Sequence, residues 1–347
     1  MQKRSAFLYV CLFLIPGSAR GAPDSAAPDK IPEIPTYCGV QPADWPATNR
    51  KVRDIETNGP ELNGIRLSGA GDPDKALSLA VVQLRHGVRL SNGAAVCDAR
   101  VQGTALASGD RRARDFSGAM LLGRTTKGEM VQLRIDDVQP GTDPEVWGHK
   151  VSWQSGTLTA EPDGAPLFRS TSPWAPLCAN GGMALLIAGR WNYHRGIPGG
   201  SSKLSSETNQ LTFSCENGAI AKCIRFGYKP WQRRVEQEID PVHQACVRAV
   251  RADYCGDGTA MTEEHAIVNF YDKLGIQKDG SDWPLEAEWS AAGAVCVNAA
   301  RTLRIAKGGP LLAPVNQRCR PTRKKGELSC ILDPAQQKTL LWTETRQ

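Results

Sequence analysis

Residues 240–258 read Asp240–Pro241–Val242–His243–Gln244–Ala245–Cys246–Val247–Arg248–Ala249–Val250–Arg251–Ala252–Asp253–Tyr254–Cys255–Gly256–Asp257–Gly258. This stretch predicts a helix over about 241–255. Asp240 can cap its start, Pro241 suits the first helical position and Gly256 can end it. Arg248 and Arg251 near the C-terminal end complement the helix dipole. Cys246 and Cys255 lie nine residues apart, about 13.5 Å along the axis. A disulfide needs Cα atoms within about 7 Å, so these two cannot pair with each other. Each is expected to reach a different partner and to staple one end of the helix.

N-terminal to the helix, the pattern is of strands. Leu211–Cys215, a turn at Glu216–Ala219 and Ile220–Phe226 read as a β-hairpin, because Asn217–Gly218 favours a two-residue type I′ turn. That register puts Cys215 and Cys223 on opposite faces, so they are not expected to pair. An apolar segment, Met183–Ile187, and a glycine-rich loop, Gly196–Ser202, come before it. From Gly59 to about residue 175, short apolar runs alternate with glycines, including Leu77–Leu84, Val101–Leu106 and Ala119–Leu122. Val131, Leu133 and Ile135 alternate with Met130, Gln132 and Arg134, the period of a strand with one buried face. The expected fold is α+β, mainly β. An antiparallel β-rich region (59–175) is followed by a cysteine-rich α+β domain (176–330) and a C-terminal tail (331–347).

The N-terminus bears on the compartment. Lys3 and Arg4 precede an apolar run, Ala6–Ile15, broken by Pro16 and Gly17. This is the pattern of a signal peptide over residues 1–21, with small residues at Ala19 and Gly21 for cleavage. Residues 22–58, rich in Pro and Ala, read as a linker. Without the first 21 residues the formal net charge falls from +6 to +3, too mild to argue for nucleic acid. No later run reaches 18 apolar residues, so no transmembrane segment is expected in the mature chain. Removing Cys11 leaves ten cysteines: Cys38, Cys97, Cys178, Cys215, Cys223, Cys246, Cys255, Cys296, Cys319 and Cys330. An even number in an oxidising compartment reads as up to five disulfides. The sequence has no CxxC and no Cys/His cluster at zinc spacing, so neither a metal nor a cofactor is expected.

His243–Gln244–Ala245–Cys246 followed by Ala252–Gly258 resembles the signature of bacterial exported proteins carrying the ADYC domain. Lys222–Cys223, Phe226–Trp231, Tyr271–Asp272, Gly275–Gln277, Glu286–Trp289 and Gly293–Asn298 extend the likeness over about 210–300, and weaker similarity reaches back to Phe116. Met261–Ala266 departs from the glycine-bearing loop of that pattern. The resemblance implies a cysteine-rich exported domain named for its motif, and no substrate.

Candidate chemistry is sparse. His243 and Asp253 are ten residues apart, about 15 Å along a helix and about 80° around it, so they form no dyad with each other. Asp253 is expected to cap the helix or pair with an arginine. Asp257, between two glycines, is a turn former before it is a cation ligand, and the alternating acidic spacing of a calcium loop is missing. Trp191, Tyr193 and His194 stand before the glycine-rich loop, and Tyr228 and Trp231 flank Pro230. Each aromatic group either lines a site for a sugar or peptide or closes a β-layer. Glu263, Glu264 and His265 lack the order of HExxH, and there is no GxSxG elbow, P-loop or GxGxxG after a strand. The expected function is that of an exported, disulfide-stabilised structural or binding module. A protein or glycan of the cell envelope is its expected class of partner. The alternative is a secreted hydrolase with His243 or His194 as base and Asp253 or Asp257 as its acidic partner.

Overall fold

The computed structural model describes residues 62–65, 67, 78–84, 87–160, 166–193, 195–262, 268–278, 283–298, 300–301, 315, 319 and 339–345. Its centre is a closed antiparallel barrel of six strands: β1 (Leu79–Gln83), β2 (Met120–Thr125), β3 (Met130–Pro140), β4 (Trp147–Ala160), β5 (Ala184–Ala188) and β6 (Gln210–Cys215). Each strand pairs with the next in sequence. The ring closes because β1 pairs with β2 through Val82 and Gly123 and with β6 through Val82 and Leu211. Closure removes the free edges that an open sheet exposes.

The alternation expected in β3 is what fills this barrel. Val131, Leu133 and Ile135 are buried in its core, opposite Ser155, Trp153 and Val151 of β4. Each such aliphatic side chain contributes about 1.5–3 kcal/mol on burial. β5 is a continuous apolar run for a different reason. Ala184 and Leu186 face the barrel interior, whereas Leu185 and Ile187 belong to a second core outside it. A strand buried on both faces has no polar side to alternate with.

That second core holds two helices, α1 (Ala219–Arg225) and α2 (Asp240–Arg251). It also includes part of an antiparallel sheet ordered β7 (Val268–Asp272), β10 (Leu341–Thr345), β8 (Leu285–Ser290), β9 (Gly293–Val297). Among the described residues, no helix is long and apolar enough to cross a membrane.

Several expectations change here. The hairpin at 211–226 does not form, because β6 ends at Cys215 and Gly218 starts a helix. Ile220, Cys223 and Ile224 recur at helical spacing and are buried together, while Lys222 would have broken a two-residue alternation. Cys215 and Cys223 are bonded to other partners, but not because they occupy opposite hairpin faces. The cysteine-rich half is not separate from the β-rich half, since β5 and β6 complete the barrel begun by β1–β4. The expected tail contributes β10, which lies between β7 and β8.

The disulfides follow the helix argument. Cys246 is bonded to Cys223 on α1, and Cys255 to Cys319. Cys178 is bonded to Cys215 at the end of β6. Cys97 and Cys296 are also in disulfides. Cys38 and Cys330 lie outside the described residues.

Candidate functional site

Helix α2 is buried along nearly its whole length, including polar positions. It starts at Asp240 itself, with Ile239 as its cap residue, and ends at Arg251 rather than at about 255. Asp240 does not cap the helix with its side chain. Its carboxylate accepts from Lys203 Nζ at 2.8 Å and Ser206 Oγ at 3.3 Å. At the other end Ala252 adopts the left-handed conformation, φ +52°, usually left to glycine at a helix end. The turn after it brings Asp253 back over the last helical turn.

The reason is a buried ion pair. Arg248 Nη1 donates to Asp253 Oδ2, with both side chains at most 1% exposed. The backbone N–H groups of Asp257 and Gly258 donate to the same carboxylate at 3.1 and 3.0 Å. Asp253 therefore closes the helix and shapes the following turn, as the arginine-pairing expectation had it. Tyr254 stacks on Trp289 at 5.2 Å between ring centroids and donates its hydroxyl to Glu286 at 2.5 Å. Arg301 holds both Glu286 oxygens, at 2.6 and 2.8 Å, and also donates to the Ala249 carbonyl. Burial, reinforced by the Glu286 charge, keeps the Tyr254 phenol protonated well above its usual range. At Gly256, φ is +70° and a Cβ would overlap the Ala292 carbonyl, so a side chain is excluded.

One face of α2 carries Asp240, Gln244 and Arg248 at i, i+4 and i+8. Gln244 and Arg248 hold the glycine-rich loop in place, and Asp240 holds the segment that follows it. Arg248 Nη1 donates to the Gly200 carbonyl, and Gln244 Nε2 donates to the Ser201 carbonyl at 3.1 Å. Gln244 Oε1 in turn accepts from Lys203 N at 3.0 Å. Gly199 N closes the ladder on the Gly256 carbonyl at 3.2 Å. Between this loop, the helix and the Ala291–Ala292 turn runs a groove of about 720 Å³, within the range of ligand sites. Pro198, Lys203, Asp240, Pro241 and Ala292 are among the residues lining it.

The anticipated residues fall elsewhere. His243 is fully buried in the first turn of α2, its Nε2 3.2 Å from the Ile220 carbonyl and its ring edge-on to Trp191. Burial, with Lys203 nearby, depresses its pKa to about 4. Neither His243 nor Asp253 lines the groove. Asp257 is buried and accepts from Thr259 N at 2.9 Å, and burial raises its pKa. Trp191, Tyr193 and Tyr228 are core residues rather than surface aromatics. Tyr193 accepts from Asn63 Nδ2 at 3.1 Å, and Tyr228 donates to Asp272 at 3.0 Å. Trp231 is half-buried and donates to Glu145 at 3.3 Å. His194, Glu263, Glu264 and His265 lie outside the described residues. Lys203, Gln244 and Ala291–Ala292 were not singled out beforehand. The signal for the helical part is the four-residue spacing of Asp240, Gln244 and Arg248, which puts them on one face of α2. Among the described residues, no group of three or more His, Cys, Asp or Glu could hold a metal ion.

Together the fold and site define a disulfide-stapled barrel module, with a helical layer that carries a small-residue groove. Residues 113–303, more than half of the chain, match the ADYC domain, and the chain belongs to that family. No curated protein and no solved structure matches it.

Proposed function

We propose that this chain is an exported binding module whose signature motif serves the fold and whose ligand face is the groove along α2. The observation that carries this reading is how the motif is used. Asp253 is committed to Arg248 and two backbone amides, Tyr254 to Glu286 and Trp289, and Cys255 to Cys319. A general base needs reach to its substrate and a pKa near the working pH. His243, fully buried and depressed to about 4, has neither. Buried disulfides on both helices fit an oxidising compartment, and the signal-like N-terminus agrees with export.

The test combines chemistry and compartment. The mature protein, recovered from the periplasmic or secreted fraction, is denatured without reductant and its thiols are counted. It is then incubated with chromogenic ester, peptide, glycoside and phosphate substrates. The expected result is no free thiol and no turnover above buffer. Turnover that disappears on changing His243 or Asp257, with the unfolding midpoint kept, overturns the binding reading in favour of a hydrolase.

A further inference from the structure

We infer that the ribbon between α1 and α2 is a processing site, cut between Arg234 and Val235 by an arginine-specific endopeptidase. Residues 233–238 form a two-stranded ribbon of two residue pairs, Arg233 with Glu238 and Arg234 with Gln237. A two-residue turn, Val235–Glu236, joins them, and both turn residues have positive φ, +48° and +63°. Such a turn favours Asn-Gly, and a β-branched residue is poorly suited to it. Val235 is 85% exposed, and Arg233, Arg234, Glu236 and Glu238 are exposed with it. Arg233 Nη2 donates to the Glu236 carbonyl at 3.2 Å, a contact open to water. The turn is therefore strained and buries no apolar side chain, so little opposes its opening.

Anchors confine that opening to the ribbon. Before it, Gln232 donates to Glu145 of the β3–β4 connection, and after it Ile239 is buried in the second core. Ile239 N closes the base of the ribbon on the Gln232 carbonyl at 3.1 Å. Once the two pairs part, about 20 Å of extendable chain lies between the anchors, enough for the bond and its neighbours to enter a peptidase cleft. Val235 and Glu236 then leave the left-handed region. The adjacent arginines set the class of enzyme, because a carboxylate at the base of a specificity pocket reads a guanidinium. Water hydrolyses the Arg234–Val235 amide, leaving a carboxylate on Arg234 and an ammonium on Val235.

The cut leaves the fold connected. All six barrel strands precede it and all four strands of the second sheet follow it, so neither sheet loses a strand. Cys223 and Cys246 stand on either side and are bonded to each other, so their disulfide straps the two new chains together. Cys178–Cys215 and Cys255–Cys319 each lie on one side of the cut. Processing therefore yields a two-chain protein with both cores intact and a new amino end just before α2.

The test exposes the folded mature protein to trypsin, and peptide mass mapping follows the appearance of an amino end at Val235. That end is expected to form while the cooperative unfolding transition persists. In denaturant the nicked chains are expected to stay joined, each hydrolysed bond adding one water to the mass, and to separate only with reductant. Val235→Asn combined with Glu236→Gly supplies the favoured turn and is expected to slow the cut at least about tenfold. Each rate is taken relative to a free peptide of the same sequence, residues 229–240, so that the difference belongs to the fold. No end at Val235 in the folded protein, when the unfolded chain is cut there, overturns the site. A double variant cut as fast as the parent overturns the role of the strained turn, and chains that part without reductant overturn the strap.

Discussion

Inside the barrel, Val131, Leu133 and Ile135 meet Leu121, Phe213 and other carbon side chains in one apolar cluster. Against α2 the interior is of another kind. Arg248–Asp253 and Arg301–Glu286 are buried ion pairs, Tyr254 donates into the second of them, one disulfide ties the middle of α2 to α1, and another fixes the turn after α2 at Cys255. The first core tolerates many exchanges that keep volume and apolarity. The second depends on particular partners, because removing one member of a buried pair leaves the other charge uncompensated. This difference explains why a motif can be so specific here without being a catalytic site. Its residues are held to their identities by what each must bond to in a dry interior.

The comparison breaks most sharply on truncation. The matched segment, residues 113–303, omits β1, which joins β2 to β6, and β10, which joins β7 to β8. Expressed alone, it is expected to give no cooperative unfolding transition by circular dichroism, because the barrel opens and the second sheet loses an inner strand. A cooperative transition for 113–303 shows that the two cores stand without those strands.

Acid should separate the cores next. His149 on β4 and His243 on α2 are both buried, with pKa values depressed by burial to about 3 and about 4. Both are neutral in the fold, and the unfolded chain takes up their protons near 6.5. Their stabilising effect is therefore complete above about pH 6.5 and is lost as pH falls toward 4, by about 1.4 kcal/mol per pH unit for each group. Urea midpoints between about pH 6 and pH 4 should show this slope, and His243→Gln should halve it. An unchanged slope places the acid sensitivity outside α2.

A smaller effect is expected at the link between the cores. Lys229 donates to the carboxylates of Asp143 and Glu145, and Trp231 and Gln232 donate to the same Glu145. These contacts tie the β3–β4 connection to the segment after α1. They are partly exposed, with the Glu145 side chain 42% accessible, so Lys229→Ala should cost about 1 kcal/mol, and less in about 1 M salt. Urea unfolding at low and high salt measures both.

The sequence showed individual strands well where one face meets solvent, as in β3, but not that they close into a barrel. Legibility fell in β5, where both faces are buried and the run cannot be told from a helix by period alone. It failed at 219–225, where a favourable Asn-Gly turn signal outweighed the helical spacing of Ile220, Cys223 and Ile224. For the site, helix geometry sufficed to separate Cys246 from Cys255 and His243 from Asp253. The groove was not legible, since Gly199, Lys203 and Ala292 are brought to α2 from distant parts of the chain. Nor was the fate of Trp191 and Tyr193, because an aromatic next to a glycine-rich loop reads alike in a pocket and in a core.

The central claim is that the signature aspartate holds the fold together, and the unfolding free energy of Asp253→Ala tests it most directly. Arg248 would be left buried with its carboxylate gone, and a loss of about 3–5 kcal/mol in urea or thermal unfolding is expected. A variant as stable as the parent to within about 0.5 kcal/mol contradicts the account, because Asp253 would then be free for a role other than structure.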